Sequence, residues 1–241
     1  TIRQHMEYYY DQDDPKITDH EYDELLRELK AMEKEHPEWV TPDSPTQRVG
    51  GSAKREAGVL VRHNVPMLSL QDVFSREEVE EFVEEMQKQL EEPEFVVEYK
   101  IDGLSMALRY EQGELELALT RGDGVNFGED VTANARVIPD VKKKLKDPVE
   151  YLEIRGEVYM KEHDFARVNE IQELNGKKVF ANPRNCAAGT LRQLDSKVTK
   201  ERGLSMFVFN IQQIRGMDIT THTERYEYLK KNKIPVIDDY R

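Results

Sequence analysis

Residues 98–103 read Glu-Tyr-Lys-Ile-Asp-Gly. Strand side chains alternate between faces, so Glu98, Lys100 and Asp102 share one face of an extended segment, and Val97, Tyr99 and Ile101 the other. Read as the outer face of a strand, the charged row is a set of ion pairs. Read as chemistry, Lys100 is a nucleophile. A lysine that attacks phosphorus does so as the neutral amine, which desolvation, a nearby arginine or a metal ion favours. Carboxylates favour the ammonium instead. That leaves Glu98 and Asp102 to orient a base, hold sugar hydroxyls or hold Mg²⁺. Gly103 follows at once, where a side chain would obstruct a closely bound ligand.

Three further clusters come in order along the chain. In "TRGDGVNFGED", residues 120–130, Gly122, Gly124 and Gly128 suit a loop whose N–H groups approach a phosphate, with Arg121 as a fork-shaped donor. The plainer reading is a Gly/Asp/Asn turn after a strand. In "EIRGEVYM", Glu153, Arg155 and Glu157 share one strand face, with Gly156 beside them. In "FANPRNCAAGTLRQLD", small residues allow close packing, and Arg184 and Arg192 suit a nucleic-acid phosphate or an ion-pair network. Each cluster alone has an ordinary structural explanation; the four in sequence point to a site.

The elements that must position these residues change character along the chain. Residues 1–36 read as two helices, the second opened by a capping box of Thr18 and Glu21 and carrying Tyr22, Leu25, Leu26, Leu29 and Met32 at helical spacing. The connector "HPEWVTPDSPTQRVGG" is broken by Pro37, Pro42, Pro45, Gly50 and Gly51, and the domain boundary is placed there. A second capping box, Ser75 with Glu78, opens a helix with Val79, Phe82, Val83, Met86 and Leu90 in one stripe. Strands follow: "FVVEYKI", then "LSMALRYE" and "ELELALTR" as a meander, then "YLEIRGEVYM" and "LSMFVFNIQQI", with helices at about 161–174 and 221–231. The expectation is a helical N-terminal piece followed by an α+β body with antiparallel strands.

Composition limits the function. The 241 residues suit one large domain with a small appendage. A formal net charge of -13 argues against a chain that coats nucleic acid by itself, and leaves room for a local basic site. The single cysteine, Cys186, excludes an internal disulfide and a four-cysteine zinc site, and reads as a small packed residue. No apolar run approaches membrane-span length, and "TIRQHMEYYY" is not a signal peptide, so a soluble, cytoplasmic protein with no membrane partner is expected. A first residue other than Met, already inside an amphipathic pattern, suggests a start within a helix.

Taken together, these motifs closely resemble the N-terminal half of the bacterial NAD⁺-dependent DNA ligases over essentially the whole chain. The resemblance rests on "DHEYDELLRELKAMEKEHPE", "TPDSPTQRVGG", "HNVPMLSL", "KIDGLS", "TRGDG" with "GEDVTAN", "RGEVYM" and "FANPRNCAAGTLRQLD". It implies an α+β fold: a small helical NAD⁺-recognition subdomain with its connector (1–50), then a nucleotidyltransferase domain (51–241) of the ATP-grasp-like, DNA-ligase and mRNA-capping type, truncated at its C-terminal end. It makes Lys100 the nucleophile that takes AMP from NAD⁺ and releases nicotinamide mononucleotide (NMN), with Asp102 arranging the sugar or a Mg²⁺ ion. Glu98 matches an adenine contact, Ser69 and Leu70 the lining of the adenine pocket, Arg121 a nucleotide contact and Glu157 a carboxylate near the ribose. Asp19, Tyr22 and Asp23, in a run that includes His20 and Glu21, match the NMN contacts, with Tyr9 an aromatic position of the same site. Arg184 and Arg192 are similar to arginines that face nicked DNA or support the site.

The family also implies bacterial, nucleoid-associated work in replication and repair by a monomer, with nicked duplex DNA as partner of the full-length enzyme. Tyr10 stands where many members have histidine, Cys186 where alanine is common, and the "GDGVNFGED" loop is slightly long. The family continues with a strand of "DGVVIKV"-like residues, a further lysine and DNA-encircling modules, none of them in this sequence, so that a fragment, an incomplete ordered region and a truncated paralogue are all open readings. Two rivals stay open: an ATP- or GTP-dependent nucleotidyltransferase of the same fold, which would leave "YYYDQDDPKITDHEYD" without a purpose, and a non-catalytic ligase-derived nucleotide- or DNA-binding module.

Overall fold

The computed structural model of the chain describes residues 2–6, 8, 16–41, 44–46 and 58–238. Tyr9, Tyr10 and the boundary expected at residue 50 lie outside the described residues. The N-terminal part holds α1 (Ile2–Met6) and α2 (Asp19–Glu35). Thr18 caps α2 as the sequence predicts: its hydroxyl accepts from the Glu21 N–H, and the Glu21 carboxylate accepts from the Thr18 N–H at 2.8 Å. Glu33 accepts the hydroxyls of Ser44 and Thr46, which ties the connector back to the helix.

The rest of the chain runs β1 (Leu60–Arg62), α3 (Arg76–Gln89), β2 (Leu104–Glu111), β3 (Glu114–Thr120), β4 (Phe127–Glu129), α4 (Thr132–Ala135), β5 (Tyr151–Tyr159), α5 (Glu162–Leu174), α6 (Pro183–Leu191), α7 (Ser196–Arg202), β6 (Ser205–Arg215) and α8 (His222–Lys231). An antiparallel sheet has the order β3-β2-β5-β6, and β1 pairs β4 separately. The period of two written into β2, β5 and β6 gives the sheet two unlike faces. Met106, Leu108, Tyr110, Leu152, Ile154, Val158, Met206 and Val208 enter the core, packed with Val168 of α5, Cys186, Ala187 and Leu191 of α6, and Tyr226 and Leu229 of α8. Cys186 is fully buried there, as expected of a small packed residue.

Two expectations about elements are corrected. The segment 95–101, read as a buried strand, forms no strand among the described residues beyond a lone bridge at Glu98, and Val97 and Tyr99 are 71% and 67% exposed. Apolar alternation specifies a strand only where a neighbouring edge pairs with it. On α3, Ser75 caps through the Glu78 N–H, but the Glu78 carboxylate takes the Phe74 N–H rather than that of Ser75, and no residue of the helix is buried. Its apolar stripe is real and lies outside the core.

Candidate active site

The sheet face opposite the core carries the chemistry. Register pairs Ser105 with Glu157, Ala107 with Arg155 and Arg109 with Glu153. At one end, Glu153 is fully buried, accepting from Arg109 Nε at 3.0 Å and from the Tyr151 hydroxyl at 2.6 Å. Arg109 also donates to the Arg62 carbonyl at 3.1 Å, which fastens β1 to the sheet. This pair is structural; removing either partner would strand a buried charge.

At the other end, Ser105 Oγ donates to Glu157 Oε2 at 2.8 Å. Burial pushes the Glu157 carboxyl above the usual range, against the pull of the Ser105 hydrogen bond and the cations of Arg184, Lys100 and Arg155. Glu157 therefore lies within electrostatic reach of the predicted nucleophile, while Lys100 itself is exposed. Asp102 is 78% exposed and faces Arg184 Nη1 at 3.9 Å, a loose pair that leaves both groups accessible. Lys100, Asp102, Glu157 and Arg184 are thus brought together from the β2 approach, β5 and α6. Arg192 caps the C-terminal end of α6 and is exposed.

Gly103 is required at this corner by the fold itself. A Cβ there would lie 2.1 Å from the Val158 carbonyl oxygen, so the backbone of β5 already excludes a side chain. Gly156 is similar: a Cβ would meet the Phe207 carbonyl oxygen at 2.3 Å on β6.

Arg121 and Arg155 hold the segment that precedes α3. Arg121 donates through Nε to the Met67 carbonyl at 2.9 Å and through Nη2 to Ser69 Oγ at 2.6 Å, and Arg155 Nη1 donates to the Leu68 carbonyl at 3.0 Å. Met67 is buried while Leu70 is 73% exposed, so the chain is anchored at one end and open at the other. Sequence reading placed Arg155 on the charged face but missed this task; its position two residues before Glu157 on the same strand face was the available signal. Burial, with Arg121 nearby, holds the Arg155 guanidinium below its ordinary value.

The glycine loop after β3 is a closed turn, the plainer of the two readings of its composition, and not an open phosphate cradle. Asp123 Oδ1 accepts from the N–H groups of Val125, Asn126 and Phe127, while the N–H groups of Asp123 and Gly124 bond to Phe127 and Arg121 carbonyls. The N–H groups of residues 123–127 are thus consumed within the loop. It serves instead to aim Arg121.

Glu98 sits apart from the exposed part of its row. His222 Nε2 donates to Glu98 Oε1 at 2.8 Å, and the Tyr226 hydroxyl donates to the same oxygen. Neither partner was singled out from the sequence, although their i, i+4 spacing places them on one face of α8.

In the N-terminal part, Asp19 is the first residue of α2, and Glu21 is spent on the cap that fixes it. The Thr18 donors hold the Glu21 carboxyl below its ordinary value. His20 is exposed, 3.7 Å from Glu24, Tyr22 is half-buried and Asp23 is exposed. Among the described residues no group of three or more His, Cys, Asp or Glu side chains is placed to hold a metal ion, and no helix is long and apolar enough to cross a membrane.

Comparison with known proteins agrees with this architecture. Residues 58–241 match the NAD-dependent DNA ligase adenylation domain, and residues 1–50 match the DNA ligase-like, N-terminal NAD+-binding domain. A DNA ligase of Clostridium kluyveri is 49% identical over 240 residues, covering 100% of this chain and 36% of that protein. One from Acetivibrio thermocellus is 51% identical over 231 residues, covering 95% and 34%, and one from Clostridioides difficile is 47% identical over 242 residues, covering 100% and 36%. The chain therefore spans little more than a third of the length of these relatives. With 184 of its 241 residues (58–241) inside one family match, it belongs to the NAD-dependent DNA ligase family, as an NAD+-binding and adenylation region.

Proposed function

We propose that Lys100 attacks the adenylyl phosphorus of NAD⁺ to give a covalent lysyl adenylate. A nitrogen–phosphorus bond forms, the phosphorus–oxygen bond to the NMN phosphate breaks, and the amine proton passes to solvent. An in-line displacement of this kind depends on positioning and on neutralising phosphate charge. The observation that carries the reading is the Lys100 corner itself: a half-buried Glu157 fixed by Ser105, with Lys100, Arg184 and Arg155 around it. Glu157 is read as the ribose acceptor, Ser69, Leu70 and Glu98 as the base site, and Arg121 as the residue that orders Ser69. Asp19, His20, Glu21, Tyr22 and Asp23 with Tyr9 are read as the grip on NMN, with Glu21 contributing by setting the start of α2.

Mg²⁺ is commonly held by one or two carboxylates together with substrate phosphates. Asp102 and Glu157 fit that role, and the bound ion would supply further charge neutralisation at the phosphates. In a longer protein of this family, the adenylate would pass to the 5′-phosphate of nicked DNA, with Arg184 and Arg192 facing the duplex. The domain division, 1–50 and 51–241, is part of the same reading.

Incubation with adenine-labelled NAD⁺ or ATP followed by intact-mass measurement tests this. The expected result is one added AMP from NAD⁺ and none from ATP. Adenylation from ATP alone would favour the rival nucleotidyltransferase.

A further inference from the structure

Among the described residues the segment around Glu98 has no sheet pairing beyond a lone bridge, yet the Glu98 side chain is only 21% exposed. What fixes it comes from the far end of the chain. His222 and Tyr226 lie 124 and 128 residues away, their rings are 4.2 Å apart, and both donate to Oε1. Tyr226 is wholly buried in the core, so its hydroxyl is a fixed point. Glu98 Oε2 receives no hydrogen bond among the described residues and is not sealed from solvent.

We propose that His222 and Tyr226 are positioning residues for nucleobase selection: by occupying one oxygen of Glu98 they present the other as a single oriented acceptor, which selects a 6-amino purine over a 6-oxo purine. This rests on Glu98 belonging to the base site. An N–H donor from a 6-amino group satisfies that oxygen. A 6-oxo group sets a carbonyl against a carboxylate, leaving a desolvated acceptor unpaired. A carboxylate held at both donors cannot rotate away from the mismatch; one released from either donor can.

The test is titration calorimetry of NAD⁺ and of its hypoxanthine analogue, deamino-NAD⁺, in a Lys100→Ala background so that only binding is read. The unmodified clamp should favour NAD⁺ by about a hundredfold. Tyr226→Phe and His222→Ala should each narrow that preference by about tenfold, with little change in thermal midpoint, whereas His222→Gln, which keeps a donor, should restore most of it. Equal weakening of both dinucleotides with a lowered midpoint would mark a merely structural role and overturn the proposal. If Glu98→Gln abolishes the preference while Tyr226→Phe and His222→Ala retain it, the clamp alone is wrong. If Glu98→Gln leaves the preference intact, or the clamp-intact protein binds no NAD⁺, the reading of the base site falls and the clamp with it.

Discussion

Arg121 Nη2 donates to Ser69 Oγ at 2.6 Å across 52 residues of sequence, while Nε of the same guanidinium takes the Met67 carbonyl at 2.9 Å. The two bonds use the planar fork of arginine, and a lysine ammonium on a flexible stem cannot reproduce both. Arg121→Lys should therefore lower NAD⁺ affinity about tenfold with the fold retained, and Ser69→Ala, which loses one bond worth about 1 kcal/mol, should cost less. Calorimetric titration with circular dichroism checks both. Unchanged NAD⁺ affinity in Arg121→Lys would mean that the ordered Met67–Ser69 segment is not part of the binding site.

Gly103→Ala should be destabilising by about 2 kcal/mol, because an added methyl group meets backbone rather than a side chain that can move aside. The obstruction is the Val158 carbonyl oxygen at 2.1 Å. Since Gly103 joins the Lys100 segment to β2, adenylation should fall along with the unfolding midpoint. A midpoint equal to the parent's would show that β5 yields at that point.

Glu157 and Asp123 should respond to pH with opposite signs. Burial raises the Glu157 carboxyl, so its contribution is fully present below the ordinary glutamate range and is lost as pH rises through its raised value. Glu157→Gln should then melt a few degrees higher than the parent at neutral pH, with the gap closing in acid. For Asp123, burial pushes the carboxyl up, but three backbone N–H donors outweigh it and the net shift is downward. Its contribution is present above the ordinary aspartate range and is lost as pH falls through the lowered value, so Asp123→Ala should be most harmful at neutral pH. Thermal melts across the acid range would reveal either sign directly, and a pH-independent difference in both variants would contradict the account.

Local signals in the sequence were the ones that translated. The alternation over 104–111 and 151–159 gives the two site strands, and Thr18 with Glu21 gives the start of α2, because each depends on neighbours within a few residues. What failed depended on distant chain. The run 95–101 has strand composition but, among the described residues, no pairing beyond a lone bridge, and the acceptor role of Glu98 depends on His222 and Tyr226, far along the sequence. The glycine loop shows a subtler limit: composition marks an unusual turn, but only the structure shows that Asp123 has already taken the donors a phosphate would need.

The N-terminal helix offers a test of cofactor choice. If Asp19 and Asp23 served only the helix N-terminus, Asp23→Ala would cost about 0.3–1 kcal/mol of stability and leave adenylation intact. If the α2 face holds the NMN leaving group, Tyr22→Ala and Asp23→Ala should cut NAD⁺-driven adenylation by roughly two orders of magnitude, because leaving-group binding is then part of transition-state stabilisation. Protein already carrying AMP should keep it. Near-parental NAD⁺ turnover in a folded double variant would remove this helix from the reaction.

The central claim is tested most directly by mapping the adenylated residue by mass spectrometry after incubation with NAD⁺. The account predicts one AMP on the Lys100 side chain, and none in Lys100→Ala or Lys100→Arg, the second because a guanidinium stays protonated and cannot attack. An AMP found on any other lysine, or retained in the Lys100→Ala protein, would contradict it.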